Sequence, residues 1–180
     1  MASPTILVVP PTSMYRKLFS PDADERLRLL GRVHFNETDV DWSPDDLRRR
    51  IGEADILVSG WRTPRLSDDI LASARNLKLV AHSAGSVKFM LDERVMQRGI
   101  AVSTAGAAMI QSVAETTVLL CRLMLRPLHE LDAGLRRGAT WASMKLAGVG
   151  DELSAQTIGI VGAGQIGRRV IRMLRAWGVD

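Results

Sequence analysis

The stretch Thr157–Gly167 reads TIGIVGAGQIG and joins a short apolar run to three spaced glycines. The run Thr157–Val161 predicts a buried parallel strand, and the segment GRRVIRMLRAWG that follows predicts a helix. Between them, Gly162 permits a tight turn, Gly164 leaves room for a pyrophosphate against the backbone, and Gly167 lets the helix pack closely on the strand. This order of elements is typical of the unit that binds dinucleotides.

The start of the helix after the turn is a suitable place for a phosphate. Its first N–H groups have no partner within the helix, and the positive end of the helix dipole faces the same way. The predicted cofactor-binding residues in this turn are Gly162, Gly164, Gln165, Ile166 and Gly167. A purely structural glycine turn is the alternative interpretation. The acid that holds the ribose hydroxyls in such units follows about 20 residues later, which places it beyond Asp180.

Five β-branched, apolar runs alternate with four helix-like segments over the first hundred residues. The runs are TILVVP, RVHF, ADILVSG, LKLVAHS and IAVSTA. Ser20, Ser43 and Ser67 are predicted N-caps, Gly52 is predicted to end the second helix, and Gly99 the fourth. This alternation predicts an α/β fold in which helices cover both faces of a parallel sheet.

The pattern changes after Thr104. Residues 109–125 have apolar side chains at helical spacing, Pro127 marks a break, and a second helical piece runs to about Arg137. Residues 138–156 predict an arm or loop. We therefore predict two domains, 1–103 and 104–180, with the long helix as a bridge. Glu115 and Arg122 interrupt its apolar side chains, which argues against a membrane span.

Composition and charge argue against a nucleic-acid-binding protein and exclude an intramolecular disulfide. The net charge of +4 is spread over short arginine clusters, Arg48–Arg50 and Leu135–Arg137, without interleaved aromatic residues. Solvated helix faces explain these clusters better than a nucleic-acid site. The single cysteine, Cys121, excludes an intramolecular disulfide and fits a reducing, cytoplasmic location. No metal site is predicted.

Several segments together resemble the D-isomer-specific 2-hydroxyacid dehydrogenases. The resemblance is carried by NLKLVAHSAGSVKFM, by RGIAVSTAGAAMIQSVAETTVLL with its Val-Ala-Glu signature at Val113–Glu115, and by GDELSAQTIGIVGAGQIGRRV. It implies a flavodoxin-like or Rossmann-like substrate domain, a long bridging helix, and the first βα unit of an NAD(P)-binding Rossmann domain. It also implies that the chain ends within that second domain.

The resemblance also implies site residues. The loop Ala84, Gly85 and Ser86 falls where the family offers backbone N–H groups to the substrate carboxylate, and Thr117 falls near the cofactor. A helix-packing role for Thr117 is equally open. Ser86 and Lys88 depart from the glycine and aspartate that are common in the family. His82 lies at the edge of this loop and is interpreted as a polar strand-end residue or as a residue facing the cleft.

The activity that the resemblance implies is hydride transfer between NAD or NADP and a D-2-hydroxy acid or 2-keto acid. The arginine, glutamate and histidine that perform catalysis in the family are expected beyond Asp180, since His34, His82 and His129 do not occupy that motif. A homodimer through the bridge helix and arm, including Trp141, is also implied. A non-catalytic α/β binding or regulatory module remains the alternative hypothesis.

Overall fold

The computed structural model describes residues 3–146 and 150–179. By its internal contacts the chain divides into two units, Met1–Ala107 and Ala108–Asp180, and each is described by itself. The assignment of 1–103 as a substrate domain and of 104–180 as the start of a cofactor domain stays a prediction.

The first unit is built on a five-stranded parallel sheet in the order β2-β1-β3-β4-β5. Its strands are β1 (Thr5–Pro11), β2 (Arg32–Asn36), β3 (Ile56–Ser59), β4 (Leu79–His82) and β5 (Ala101–Thr104). Each coincides with one of the five predicted runs. In β3 and β4, the register partners Leu57 and Val80 are both fully buried, as expected for the centre of a parallel sheet. The predicted α/β fold class is confirmed.

In the described part of this unit, five α-helices connect the strands. They are α1 (Thr12–Leu18), α2 (Pro21–Leu30), α3 (Pro44–Arg50), α4 (Asp68–Ser73) and α5 (Glu93–Gln97). The predicted caps of α2 and α3 are confirmed, because Ser20 Oγ accepts from the N–H of Ala23 and Ser43 forms a reciprocal capping box with Asp46.

The predicted start of α4 at Ser67 is confirmed, because Ser67 is the N-cap residue and Asp68 and Asp69 lie in the first turn. The Ser67 hydroxyl donates to the Asp69 carboxylate and accepts from no backbone N–H of the helix. Two other sequence predictions in this unit were wrong in detail. Gly52 does not end α3, which ends at Arg50 and continues as the 3-10 turn Ile51–Glu53. The sequence analysis did not predict helix α1. This helix has only 7 residues, its N-cap residue is a proline that offers no side-chain acceptor, and Tyr15 is its one buried residue.

The two faces of the sheet are covered by different helices. On one face, Leu57 and Val80 pack with Leu47 of α3 and Ile70 of α4 in the larger apolar cluster. On the other face, Ile6, Val8 and Val58 pack with Tyr15 of α1 in a smaller one. Burial of apolar side chains on both faces is the main stabilising contribution to such a sheet.

The second unit is helical in its described part. Its helices are α6 (Gly106–Leu125), which crosses the boundary between the units, α7 (Leu128–Arg136), α8 (Trp141–Leu146) and α9 (Gln165–Ala176). The helices α6, α7 and α9 were predicted, whereas α8 lies in the segment predicted as an arm or loop. An apolar cluster joins α6 to α9 through Ala114, Val118, Val170 and Leu174.

The predicted strand Thr157–Val161 is not formed within the described residues. This segment pairs with no other strand, and Ile160 and Val161 are exposed at 38% and 105% of their reference areas. A parallel strand is defined by the neighbours to which it is hydrogen-bonded. Apolar content makes the segment suitable for a sheet but cannot supply a partner strand.

In the part of the chain that the structure describes, α6 is the one helix long and apolar enough to cross a membrane by length and composition alone. Core helices of soluble proteins satisfy the same criterion, although 11% of its most apolar window is buried. Glu115 and Arg122 still argue against a span, and the absence of a membrane segment stays a prediction.

Candidate functional site

The first candidate site is the loop that follows β4. Ala84 is buried, whereas Gly85 and Ser86 are exposed. No acceptor among the described residues takes the backbone N–H of Gly85 or of Ser86. Two adjacent, exposed donors at the carboxyl end of a parallel sheet are suited to bind an anion such as a carboxylate.

Neighbouring strands hold this loop in place. The N–H and hydroxyl groups of Ser83 both donate to the carbonyl of Ser59, each at 2.8 Å. On the other side, the N–H of Ala105 donates to the carbonyls of His82 and Ala84, at 2.9 and 3.1 Å. The loop is therefore fixed to the ends of both β3 and β5, and the carbonyl of Ala84 contributes to this anchoring. The role of Ala84 in substrate binding stays a prediction.

The residue His82 is buried at the end of β4. It is 3% exposed, its Nδ1 lies 3.0 Å from Ser59 Oγ, and burial lowers the pKa of the imidazole. Its other nitrogen, Nε2, is buried without a hydrogen-bond partner in the described residues. His82 is thus a buried residue at the end of a strand, as in the first interpretation, while the second, a residue facing the cleft, stays a prediction.

Sequence reasoning missed Ser59. A signal was present, since the apolar runs ILVS and LVAH each end in a polar residue at the carboxyl end of a predicted strand. The pairing Ser59–His82 follows from the register of β3 with β4, which the sequence alone does not specify.

The second candidate site is the glycine turn before α9. Gly162 has φ +94°, a conformation that L-residues with side chains rarely adopt. A Cβ on Gly167 would lie 2.2 Å from the carbonyl oxygen of Gly162, so the two ends of the turn approach closely. A Cβ on Gly164 would meet no atom of the described residues within 4 Å. The protein itself therefore requires glycine at Gly162 and Gly167 but leaves the space beside Gly164 open.

The N-terminus of α9 has free donors. Its first internal bond runs from the N–H of Arg168 to the carbonyl of Gly164, and the N–H groups of Gln165, Ile166 and Gly167 find no acceptor among the described residues. No side chain caps the helix and its first turn has no acid. The helix dipole and these donors together favour an anion. The site thus fits the pyrophosphate of a dinucleotide.

The other predicted cofactor residue, Thr117, lies on α6. Its hydroxyl donates to the carbonyl of Val113 at 2.8 Å, a bond within the same helix. An ordered polar link joins this helix to α9, because Arg169 Nε donates to Gln111 Oε1 at 2.5 Å and Gln111 in turn donates to Glu115. Within the described residues, Thr117 makes no hydrogen bond to the turn, and its hydroxyl oxygen accepts from no donor.

A further cavity of about 760 Å³ lies between α1, α2 and β2. Inside it, Tyr15 and Arg28 both donate to Asp24 at 2.8 Å, and the guanidinium lies 4.6 Å from the ring centroid of Phe35. The bond from Arg28 is the main cause of the lowered pKa of Asp24, while burial raises that of Tyr15. Because these groups satisfy one another, the cluster is explained by packing.

Comparison with known proteins supports the family that the motifs suggest. Residues 118–180 match the family described as D-isomer specific 2-hydroxyacid dehydrogenase, NAD binding domain. The chain is 30% identical over 162 residues to a D-3-phosphoglycerate dehydrogenase of Methanocaldococcus jannaschii, covering 89% of this chain and 30% of that protein. It is 27% identical over 158 residues to a hydroxypyruvate reductase of Thermotoga maritima, covering 88% and 50%.

A solved structure of a Pyrococcus horikoshii protein has the same fold. It superimposes with a TM-score of 0.77 at 24% identity, covering 98% of this chain and 51% of that one. The chain therefore spans about half or less of the length of these relatives.

Proposed function

This chain belongs to the D-isomer specific 2-hydroxyacid dehydrogenase family, and on that premise we propose that it is part of a nicotinamide-dependent oxidoreductase. The reaction is hydride transfer between NAD or NADP and the C2 carbon of a D-2-hydroxy acid or 2-keto acid. The observation that carries the proposal is the uncapped N-terminus of α9, with the open space beside Gly164. The match of residues 118–180 to the NAD-binding domain supports the same cofactor class.

Each candidate site has one task in this proposal. The N–H groups of Gln165, Ile166 and Gly167 hold the pyrophosphate, and the bound nicotinamide supplies or accepts the hydride. The N–H groups of Gly85 and Ser86 hold and orient the carboxylate of the small acid. The proton donor of the family and its carboxylate-binding arginine have no assigned counterpart among the residues of these two sites.

We further propose that the protein forms a homodimer through α6 and the arm. Met109, Val113, Leu120 and Met124 lie on one exposed face of α6, at positions i, i+4, i+11 and i+15. This face is roughly opposite to the buried face that carries Ala114 and Val118. Trp141 of the arm is also 58% exposed. Exposed apolar surface of this extent is typical of an interface. A cytoplasmic location is proposed from the single cysteine alone.

An NMR titration tests the cofactor proposal on the protein as it exists. The amide signals of Gln165, Ile166 and Gly167 should shift when NADH is added, because these donors bind its phosphates. Nicotinamide mononucleotide, which lacks a pyrophosphate, is the control ligand and should shift them less. Unchanged amide signals at millimolar NADH would contradict the proposal.

A turnover assay separates the two function hypotheses. In a longer protein that joins this chain to the arginine, glutamate and histidine of the family, we expect oxidation of NADH with glyoxylate, pyruvate or hydroxypyruvate. Cofactor binding without turnover in that longer protein would favour the non-catalytic, regulatory alternative.

A further inference from the structure

A buried serine–histidine pair lies at the base of the predicted substrate loop. Ser59 ends β3, His82 ends β4, and the two residues are partners in the sheet register. Their exposed fractions are 0% and 3%, and Ser59 Oγ lies 3.0 Å from His82 Nδ1. Since polar groups at this depth are normally hydrogen-bonded, the direction of this one bond determines the state of the imidazole.

The bond determines which ring nitrogen carries the proton. The Ser59 hydroxyl has one hydrogen to donate, and Nδ1 of His82 is its one recorded partner among the described residues. If the Ser59 hydroxyl donates to Nδ1, the neutral ring carries its proton on Nε2, and this Nε2–H is the one polar hydrogen of the pair without an acceptor. The opposite direction leaves both the serine hydrogen and the Nε2 lone pair unmatched. The neutral imidazole that burial favours therefore carries its proton on Nε2.

The Nε2–H group is a buried donor with no acceptor in the described residues. The segment that carries the candidate loop contacts this ring through Phe89. His82 precedes the loop, and Phe89 follows it with its ring in edge contact, 5.8 Å between centroids. Phe89 is 48% exposed, so its side chain has room to move when a ligand enters. Buried orphan donors are rare in native proteins and call for a specific explanation.

We propose that His82 is an additional substrate-binding residue, whose Nε2–H donates, directly or through one water, to an oxygen of the carboxylate ligand held by Gly85 and Ser86. This inference rests on the proposed function, since it needs an acid in that loop. A neutral donor suits this position, because an oxygen acceptor satisfies it without placing a charged imidazole in the core. Ser59 is the positioning residue that keeps the proton on Nε2.

The first test determines the tautomer of His82, and it needs no ligand. Long-range ¹⁵N–¹H NMR spectra of the histidine-labelled 180-residue protein at about pH 7.5 distinguish Nδ1–H from Nε2–H. We expect Nε2–H for His82, and a mixture of tautomers in Ser59→Ala. The exposed imidazoles of His34 and His129 serve as internal references. An Nδ1–H tautomer in the unmodified protein would overturn the proposal.

The second test uses oxamate, a stable mimic of a 2-keto acid. The amide signals of Gly85 and Ser86 and the Nε2 signal of His82 should follow one saturation curve. His82→Gln, whose amide nitrogen lies near the place of Nε2, should bind oxamate within about threefold of the unmodified protein. His82→Asn, whose amide lies near the place of Nδ1, should bind about tenfold more weakly, as expected for a lost bond to a charged group.

The possible outcomes separate the two proposals. If the Gly85 and Ser86 signals shift while Nε2 does not, and His82→Asn binds normally, this inference fails and the proposed function stands. If no amide signal of the loop responds to oxamate in the unmodified protein, the carboxylate site fails and this inference fails with it. The Nε2 shift in the unmodified protein decides the matter even where a variant does not fold.

Discussion

At the scale of single residues, the three glycines of the turn have different physical requirements. Gly162 needs a positive φ, Gly167 needs the absence of a Cβ beside a carbonyl, and Gly164 needs neither. The sequence predicts these separate roles because the spacing of such motifs follows from backbone geometry. What only the structure adds is that no atom of the described residues lies within 4 Å of a Cβ built on Gly164, which matches a ligand-facing role.

Alanine at two of these positions should separate stability from binding. Gly167→Ala should lower the free energy of unfolding by about 1–3 kcal/mol, because the new Cβ overlaps the Gly162 carbonyl. Gly164→Ala should cost less than about 1 kcal/mol, the scale of a weakened N-cap, yet weaken NADH binding at least about tenfold. Urea unfolding and NMR titration measure the two effects. Equal NADH affinity of Gly164→Ala and the unmodified protein would contradict the ligand-facing role.

A second prediction at this scale concerns acid and His82. Burial lowers the pKa of the folded-state imidazole, whereas the unfolded chain keeps a value of about 6.5. Below about 6.5 the unfolded state binds more protons, so the stability contributed by neutral His82 is present above that pH and falls as the solution is acidified.

Urea unfolding at several pH values between about 5 and 8 checks this pH dependence. The unmodified protein should lose more stability on acidification than His82→Gln, because the carboxylates common to both proteins cancel in the difference. Parallel pH profiles of the two proteins would contradict a buried, neutral imidazole.

At the scale of elements, capping residues and apolar periodicity predicted most of the helices and strands. The predicted strand Thr157–Val161 was wrong, because local sequence does not show whether a strand has a partner. The strong caps at Ser20 and Ser43 located α2 and α3, whereas α1 has no side-chain cap and was missed. The segment Thr157–Val161 has the composition of a strand but no partner in the described chain. Local signals therefore locate elements that are stabilised locally. A strand, which is stabilised by its neighbours, needs tertiary information.

The contrast between two serines tests this view of the caps. Ser43→Ala removes a reciprocal capping box and should lower the free energy of unfolding by about 1 kcal/mol. Ser67→Ala is the matched control, because the Ser67 hydroxyl accepts from no backbone N–H of α4 and donates to the exposed Asp69 carboxylate instead, and it should change stability by less than about 0.5 kcal/mol. Thermal or urea unfolding of both variants provides the comparison. A similar loss of unfolding free energy in the two variants would contradict a stabilising role for the capping box of α3.

At the scale of the whole molecule, the two candidate sites lie in different units. The loop Ala84–Ser86 belongs to the first unit, and the turn Gly162–Gly167 to the second. The sequence predicted the turn from its glycine motif and the loop from the family resemblance. It could not predict Ser59 and His82 as a pair, because that contact joins residues far apart in the chain. Hydride transfer requires cofactor and acid to meet, so the proposed reaction requires the two units to act together.

The exposed face of α6 gives the last prediction, which concerns self-association. Met124 is 84% exposed, so Met124→Lys should leave folding intact while placing a charge in the proposed dimer interface. Analytical ultracentrifugation should then show the dissociation constant rising at least about tenfold, as for a central interface residue. Leu29→Lys on α2 is the control, since Leu29 is 86% exposed but lies outside that face, and it should not change association. An unmodified protein that stays monomeric as its concentration rises would contradict the homodimer and leave the apolar face of α6 to be covered by other sequence.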